Sequence, residues 1–269
     1  EKLYEIFLRF PQVQTDTRSL KQGEIFFALK GPNFNGNKFA ATAISMGAAA
    51  VVVDEEVGIE AENVFLVDDC LTTLQALALH HRKQFDIPFI AITGSNGKTT
   101  TKELVHAVLS STFKTYTTKG NLNNHIGIPL TLLSIKKDAE MAIIEMGANK
   151  PLDIDELCRI AAPTLGLITN IGKAHLEGFI NFEGVLQTKS ELYDHVATLN
   201  GALFVNAEDH ILLAAAQKKR SQILTYGEQH GELRGQLAYL DPYVHFSWSF
   251  QQYVSPVIDT QMVGKYNFF

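Results

Sequence analysis

Residues 89–111, FIAITGSNGKTTTKELVHAVLSS, pass from an apolar strand through a glycine-lysine-threonine turn into a segment with helical spacing. Gly94, Ser95, Asn96 and Gly97 permit a tight loop whose backbone N–H groups face one anion, with the positive end of the following helix behind it. Lys98 then reaches the outer phosphates of a nucleotide, and Thr99 offers its hydroxyl to Mg²⁺, with Thr100 next to it in the same phosphate-binding set. The general phosphate-loop pattern is met only in part, since Ile92 stands where its first glycine belongs, leaving the shorter G-x-x-G-K-T-T. A glycine turn that binds nothing is the plainer alternative. The Lys-Thr pair at a helix start, directly after a buried-looking strand, argues against it. The loop specifies a nucleotide and leaves the reaction open.

The rest of the chain tells what kind of sheet carries that loop. PFIAIT, FKTYTT, EMAIIEMG, TLGLITNIG, GALFVNAE and SQILTYG are apolar strand runs separated mostly by helical segments at 98–111, 152–161, 183–197 and 208–217. Such alternation predicts a mostly parallel sheet with helices on both faces and ligands at the carboxyl ends of its strands. After Gly227 the period falls to two in ELRGQLAYLDPYVHFSWSF, which predicts a short antiparallel appendage turning at LDPY. Upstream, GEIFFALKG, AAVVVDE and NVFLVDD read as strands, and KFAATAISMGA and CLTTLQALALHHRKQF as helices. The predicted fold is therefore α/β, with a small α/β unit over residues 1–84 and a central phosphate-loop domain over 85–263.

Composition excludes several roles. A chain of 269 residues can bury two cores, and 46% hydrophobic residues with mean hydropathy near zero suit a globular protein. A formal charge of -6 argues against nucleic acid as a partner. Cys70 and Cys158 lie far apart in apolar, helix-like contexts, as two buried small hydrophobes do, so neither a disulfide nor a zinc site is expected. EKLYEIFLRF has no signal-peptide core, and MGAAAVVV is too short to span a bilayer. A cytoplasmic location without membrane insertion is the expectation; the oligomeric state is not legible.

If strand ends build the site, each should deliver a polar group there, and four segments do. AIIEMGAN ends in Glu145, which either binds Mg²⁺ or marks the strand's exit to solvent. LITNIGKAHLEGF places Asn170 and His175 past the next strand, although a lone loop histidine is more often a surface group. QTKSELYDHV puts Lys189 in a helix, where an exposed lysine is the default. KGNLNNHIGIP, with Asn123 and Asn124, reads on its own as a capping turn before a helix started by Pro129.

In this order, after G-S-N-G-K-T-T, the segments resemble the Mur ligase family of ATP-dependent amide-forming enzymes. The resemblance rests on TDTRSLKQGEIFFALKGPNFNGNKFA, GNLNNHIGIPLTLL, EMGANKPLDI, TNIGKAHLEGF and GVLQTKSEL, and covers nearly the whole chain. These segments are most similar to the member that joins D-alanyl-D-alanine to UDP-MurNAc-tripeptide. The sister ligase that adds the third peptide residue usually has Thr-Thr-Pro where NNHIGIP stands here, and folylpolyglutamate synthase lacks the FFALKG domain.

The resemblance implies ATP and Mg²⁺ as cofactors, and UDP-MurNAc-tripeptide and D-Ala-D-Ala as substrates. It implies that Lys98 and Thr99 bind phosphates and Mg²⁺, that Glu145 holds the ion between the β- and γ-phosphates, and that His175 and a carbamylated Lys189 bind a second Mg²⁺. Carbamylation would turn a cation that repels the metal into an anionic oxygen ligand. Asn206, Asp209 and Asn267 match the adenine side, with Tyr266 where the family more often has histidine. Asp16, Thr17, Arg18 and Asn33 match segments that grip the UDP-sugar, and Asn123 and Asn124 fall in the substrate set. MVGKYNFF resembles the passage to a third, amino-substrate domain, so residues 264–269 are expected to be its first residues. The chain by itself is then expected to bind UDP-MurNAc-tripeptide, and ATP weakly, without forming the amide. Another Mur-type or folylpolyglutamate-type ligase would keep the ATP site and change the acceptor. A non-catalytic nucleotide switch would need no second metal site.

Overall fold

The computed structural model describes residues 2–172 and 181–268. The first unit contains α1 (Lys2–Arg9), β1 (Val13–Gln14), β2 (Ile25–Phe27), the hairpin β3 (Lys30–Gly31) and β4 (Phe34–Asn35), α2 (Ala40–Ser45), β5 (Ala50–Val53), β6 (Val64–Leu66) and α3 (Cys70–Arg82). Its sheet has the order β1-β2-β5-β6, every pair parallel. β2 and β5 are buried at every position, which is why both read as unbroken apolar runs. α3 opens with Asp69, whose carboxylate accepts from Thr72 N–H at 2.6 Å.

The second unit contains β7 (Phe89–Thr93), α4 (Lys98–Ser110), β8 (Thr115–Thr117), α5 (Gly127–Leu133), β9 (Met141–Glu145), α6 (Asp153–Ala161), β10 (Leu165–Ile168) and α7 (Phe182–Thr198). It continues through β11 (Ala202–Asn206), α8 (His210–Gln217), β12 (Gln222–Gly227), β13 (Leu233–Leu240), β14 (Tyr243–Phe250), β15 (Tyr253–Val254) and β16 (Ile258–Val263). The sheet runs β15-β14-β13-β12-β11-β10-β7-β9-β8, with β16 also on β14. Pairing is parallel from β8 to β13 and antiparallel around β14, as the change of sequence period predicts. Alternate residues of β7 face opposite ways. Phe89 and Ala91 join the main core, whereas Ile90 and Ile92 pack with Val105 and Leu109 of α4.

Several boundaries differ from the sequence expectation. GEIFFALKG is a strand only over Ile25–Phe27 before the hairpin, and the KFAATAISMGA helix is preceded by a 3₁₀ turn at Gly36–Phe39. The helix expected to start at Pro129 starts at Gly127. Asn124 Oδ1 accepts from the N–H groups of Ile126 and Gly127 ahead of it, and Pro129 falls in the first turn, where its missing N–H is not needed. Cys70 and Cys158 are buried free thiols, as expected. Among the described residues no helix is long and apolar enough to cross a membrane.

α3 ties the two units together. Arg82, 7% exposed, donates from Nε to Ala161 O at 3.0 Å and from Nη2 to Ala162 O at 2.8 Å, capping α6. Its guanidinium also lies 3.5 Å from the centre of the Phe89 ring. Next to it His81 is held on both ring nitrogens, by Tyr4 Oη at 3.1 Å and Ile135 O at 2.8 Å. Arg82→Met is expected to destabilise the fold by about 2–4 kcal/mol, because it strands buried carbonyls. Urea denaturation measures this; a loss below about 0.5 kcal/mol would show that water replaces the guanidinium.

Candidate active site

β7 lies between β9 and β10, where the direction of strand succession reverses, so the loop after β7 opens into the crevice at the carboxyl ends of three strands. Gly94 has φ +145° and Gly97, the N-cap of α4, has φ +79°, both in regions that favour glycine. The end of β10 grips the loop. Thr169 Oγ1 donates to Asn96 O at 2.6 Å, Asn170 Oδ1 accepts from Asn96 N–H at 3.1 Å, and Ser95 N–H donates to Asn170 O at 3.0 Å. Ser95 Oγ in turn accepts from Gly172 N–H at 2.9 Å. A Cβ on Gly94 would stand 2.0 Å from Thr169 Oγ1. Gly94→Ala is therefore expected to weaken ADP binding at least about tenfold, with a stability loss of about 1–3 kcal/mol. Calorimetric titration with ADP checks this, and unchanged affinity would mean that the loop does not need its present shape.

Lys98, half-buried, folds back so that Nζ donates to Gly94 O at 2.9 Å and Ser95 O at 3.3 Å. Burial pushes its ammonium below the usual lysine value, and the Glu145 carboxylate pulls the other way. Glu145, at the end of β9, is 1% exposed, so it is no exit to solvent. Its N–H donates to Thr118 Oγ1 at 3.0 Å, and its Oε1 accepts from Thr99 Oγ1 at 3.2 Å and Asn123 Nδ2 at 2.9 Å. Its Oε2 is buried and has no hydrogen-bond partner among the described residues. A buried carboxylate oxygen left open beside a threonine hydroxyl is a donor set that a hard divalent cation fits. Among the described residues no group of three or more His, Cys, Asp or Glu could hold a metal, so phosphate oxygens or water would have to supply the remaining ligands.

A cavity of about 590 Å³ adjoins the loop, lined by Gly94, Ser95, Lys98, Asn123, Asn124 and Gly147, and on its far wall by Lys150, Asp153 and Lys189. Lys189 of α7 is 3% exposed, against the default of a solvated helix lysine, because α7 packs this face onto α6 and the sheet. Burial, and then the charge of Lys98, push its ammonium down to about 8. Among the described residues it has no hydrogen-bond or ion-pair partner. Three lysines line this cavity against the carboxylates of Asp153 and Glu156, and with Lys150 near Asp153 the cations Lys98 and Lys189 favour an anionic ligand. A larger cavity, of about 730 Å³ between α4 and the sheet, is walled almost wholly by apolar side chains and carries none of these groups.

The other expected site residues lie elsewhere. His175 falls outside the described residues. Thr100 is exposed on the first turn of α4. Asn206 lines a separate cavity of about 190 Å³ with Tyr226, Trp248 and Phe268. Asp209 caps α8, accepting from Ile211 and Leu212 N–H, and Asn267 donates to Val263 O at 2.8 Å. In the first unit Arg18 is paired with Asp16 at 2.6 Å, which holds that carboxyl at about 2, and Thr17 lies between them in the chain. Asn33 is in the exposed turn between β3 and β4. The clamp by Thr169 and Asn170 was legible only as a polar strand end, and nothing in KTTTKE singles out Lys102, which is fully buried.

Comparison with known proteins bears on the whole arrangement. Residues 92–269 match the model of the Mur ligase middle domain and residues 9–85 that of the Mur ligase family, catalytic domain. A UDP-N-acetylmuramoyl-tripeptide–D-alanyl-D-alanine ligase from Bacillus subtilis is 42% identical over 217 residues, covering 80% of this chain and 47% of the relative. Among solved structures, MurF from Acinetobacter baumannii superimposes with a TM-score of 0.85 at 34% identity, over 95% of this chain and 56% of that one. MurF ligase from Thermotoga maritima, in complex with ADP, gives 0.83 at 28% identity, over 94% and 58%. The chain spans about half the length of these relatives. With the phosphate loop and, apart from the first residues of β7, the strands of both main sheets falling inside the matched segments, the chain belongs to the Mur ligase family.

Proposed function

We propose that this chain carries the UDP-sugar and ATP sites of an enzyme joining D-alanyl-D-alanine to UDP-MurNAc-tripeptide, a cytoplasmic step of peptidoglycan precursor synthesis. The observation that carries the reading is the meeting of Thr99, Asn123 and Glu145, from three separate segments, beside a loop and cavity that also hold Lys98 and Lys189. The relatives' names supply the substrates. In this reading the N–H groups at the start of α4, with those of the loop that Asn170 does not engage, cradle the ATP phosphates, and Lys98 offsets charge on the outer ones. The cavity beside them holds the terminal carboxylate of the tripeptide. Phosphoryl transfer makes that carboxylate an acyl phosphate, giving it a leaving group, and the amine of D-Ala-D-Ala displaces phosphate to form the amide.

Thr99 and Glu145 would hold one Mg²⁺, and a carbamylated Lys189 with His175 a second; such ions supply charge compensation on the phosphates. At about 8, the Lys189 ammonium gives up its proton far more readily than an exposed lysine, and the neutral amine is the form that attacks CO₂. Asn206, with the flat walls of Tyr226 and Trp248, suits a purine, and Asp209 and Asn267 would complete the adenine side. Asp16, Thr17, Arg18 and Asn33 would meet the UDP end, Arg18 exchanging Asp16 for phosphate oxygens. Asn123 and Asn124 would order the peptide side of the cavity.

Phosphate release tests the reading, measured in the complete protein that carries this sequence with ATP, Mg²⁺ and UDP-MurNAc-tripeptide, with and without D-Ala-D-Ala. Sustained release only with the dipeptide is the expected result. Release driven by a different amino acid would move the assignment to another ligase of the family. No release with any acceptor, despite nucleotide binding, would leave a nucleotide switch.

A further inference from the structure

Lys102 is fully buried in α4, one turn beyond Lys98 on the same helix face. Its Nζ donates to Thr118 O at 2.8 Å and lies 2.7 Å from Glu103 Oε1, a carboxylate 58% exposed. Thr118, also fully buried, follows β8, and its own hydroxyl accepts the N–H of Glu145 at 3.0 Å. An unbroken series thus runs from α4 through Lys102, Thr118 O, Thr118 Oγ1 and Glu145 N–H to the carboxylate that meets Thr99 Oγ1, back on α4. Burying an ammonium needs a reason, because an apolar side chain of similar volume commonly serves stability as well or better. Thr99 and Glu145 sit on different elements, one on a helix and one at a strand end, and ordinary sliding of α4 against β8 and β9 would separate them.

We propose that Lys102 is a positioning residue, which locks the phosphate-loop helix to the strand ends so that Thr99 and Glu145 stay close enough to share one divalent cation. The inference rests on reading those two residues as ligands of one ion. Its signature is an effect on cation affinity, transmitted through Thr118, that exceeds any effect on stability.

The test is Mn²⁺ binding in the complete protein with saturating ADP, followed by the loss of the free-Mn²⁺ EPR signal, with melting temperatures measured alongside. Lys102→Met is expected to weaken Mn²⁺ binding by about 10- to 100-fold, the range for outer partners of metal ligands. Lys102→Gln, which keeps a neutral donor for Thr118 O, should recover most of that. Arg82→Met, remote from these contacts, should lower the melting temperature and leave Mn²⁺ affinity unchanged. Wild-type affinity in a folded Lys102→Met protein overturns the proposal, as does an equal loss in Arg82→Met. Should Lys102→Met fail to fold, Thr118→Val decides, since it cuts the second link and leaves the carbonyl that Lys102 meets: a comparable loss supports the proposal and unchanged affinity ends it. A wild-type protein that binds ADP but no Mn²⁺ would instead remove the underlying cation site, and the proposal with it.

Discussion

Lys98→Ala in the complete protein that carries this sequence is expected to lower ATP-dependent phosphate release by about 10²–10³-fold or more, while the melting temperature stays within about 2 °C of wild type. The rate estimate follows from removing one preorganised cationic donor at the place where phosphoryl charge develops. Stability should hold because the side chain contributes little to the core. It is half-buried, its ammonium is penalised by burial, and its two acceptors are carbonyls of its own loop at the rim of the cavity. Steady-state turnover with calorimetric unfolding separates the two quantities. Turnover within a few-fold of wild type would remove the phosphate-loop assignment, and a collapse of stability would recast Lys98 as a structural residue.

At Lys189 the sign runs the other way for stability. The ammonium titrates at about 8 in the fold against 10.5 in the unfolded chain, so between those values the unfolded chain holds more protons and stability rises with pH. Below about pH 8 the cost is fully present, on the order of 3 kcal/mol. Lys189→Met should therefore raise the unfolding free energy of the metal-free, CO₂-free protein at pH 7, and the gap from wild type should close as pH climbs toward 10.5. Activity should move oppositely. In the complete protein, Lys189→Ala is expected to lose at least about 10²-fold in turnover, and to regain part of it with short-chain carboxylates that can occupy the vacated oxygen position. A fully active Lys189→Ala protein would make the residue a helix lysine that happens to be buried. An inactive one that no carboxylate rescues would retain the need for the side chain and remove the carbamate.

Legibility in the sequence followed the range of the interactions concerned. The phosphate loop could be read because its parts are chain neighbours: glycines at positive φ, a lysine and threonine opening a helix, an apolar strand in front. The change from alternating strands and helices to period two after Gly227 likewise reports local pairing, and the structure has it as the change from parallel to antiparallel strands. Glu145, Asn170 and Lys189 were visible as polar groups at suggestive places, but Glu145 and Lys189 each carried a bland alternative. Glu145 and Lys189 lost theirs only on burial. The capping reading of the asparagine-rich segment proved true of Asn124, while Asn123, its neighbour, reaches Glu145.

By itself, then, the sequence determined the elements, the loop and the inventory of polar strand ends, because propensity, periodicity and turn chemistry act over a few residues. Only the tertiary structure decided which of those ends share one crevice. The strand order β8-β9-β7-β10 sets Glu145 on one side of the loop and Thr169 and Asn170 on the other, although they lie some fifty and seventy residues along the chain from it. It also decided the fate of the lysines. Lys98, Lys102 and Lys189 are chemically identical and all lie on helices, yet one folds over a loop, one is buried beneath Thr118, and one faces a cavity without a partner among the described residues. What separates them is the element that covers each helix face, a long-range property that no window along the chain contains.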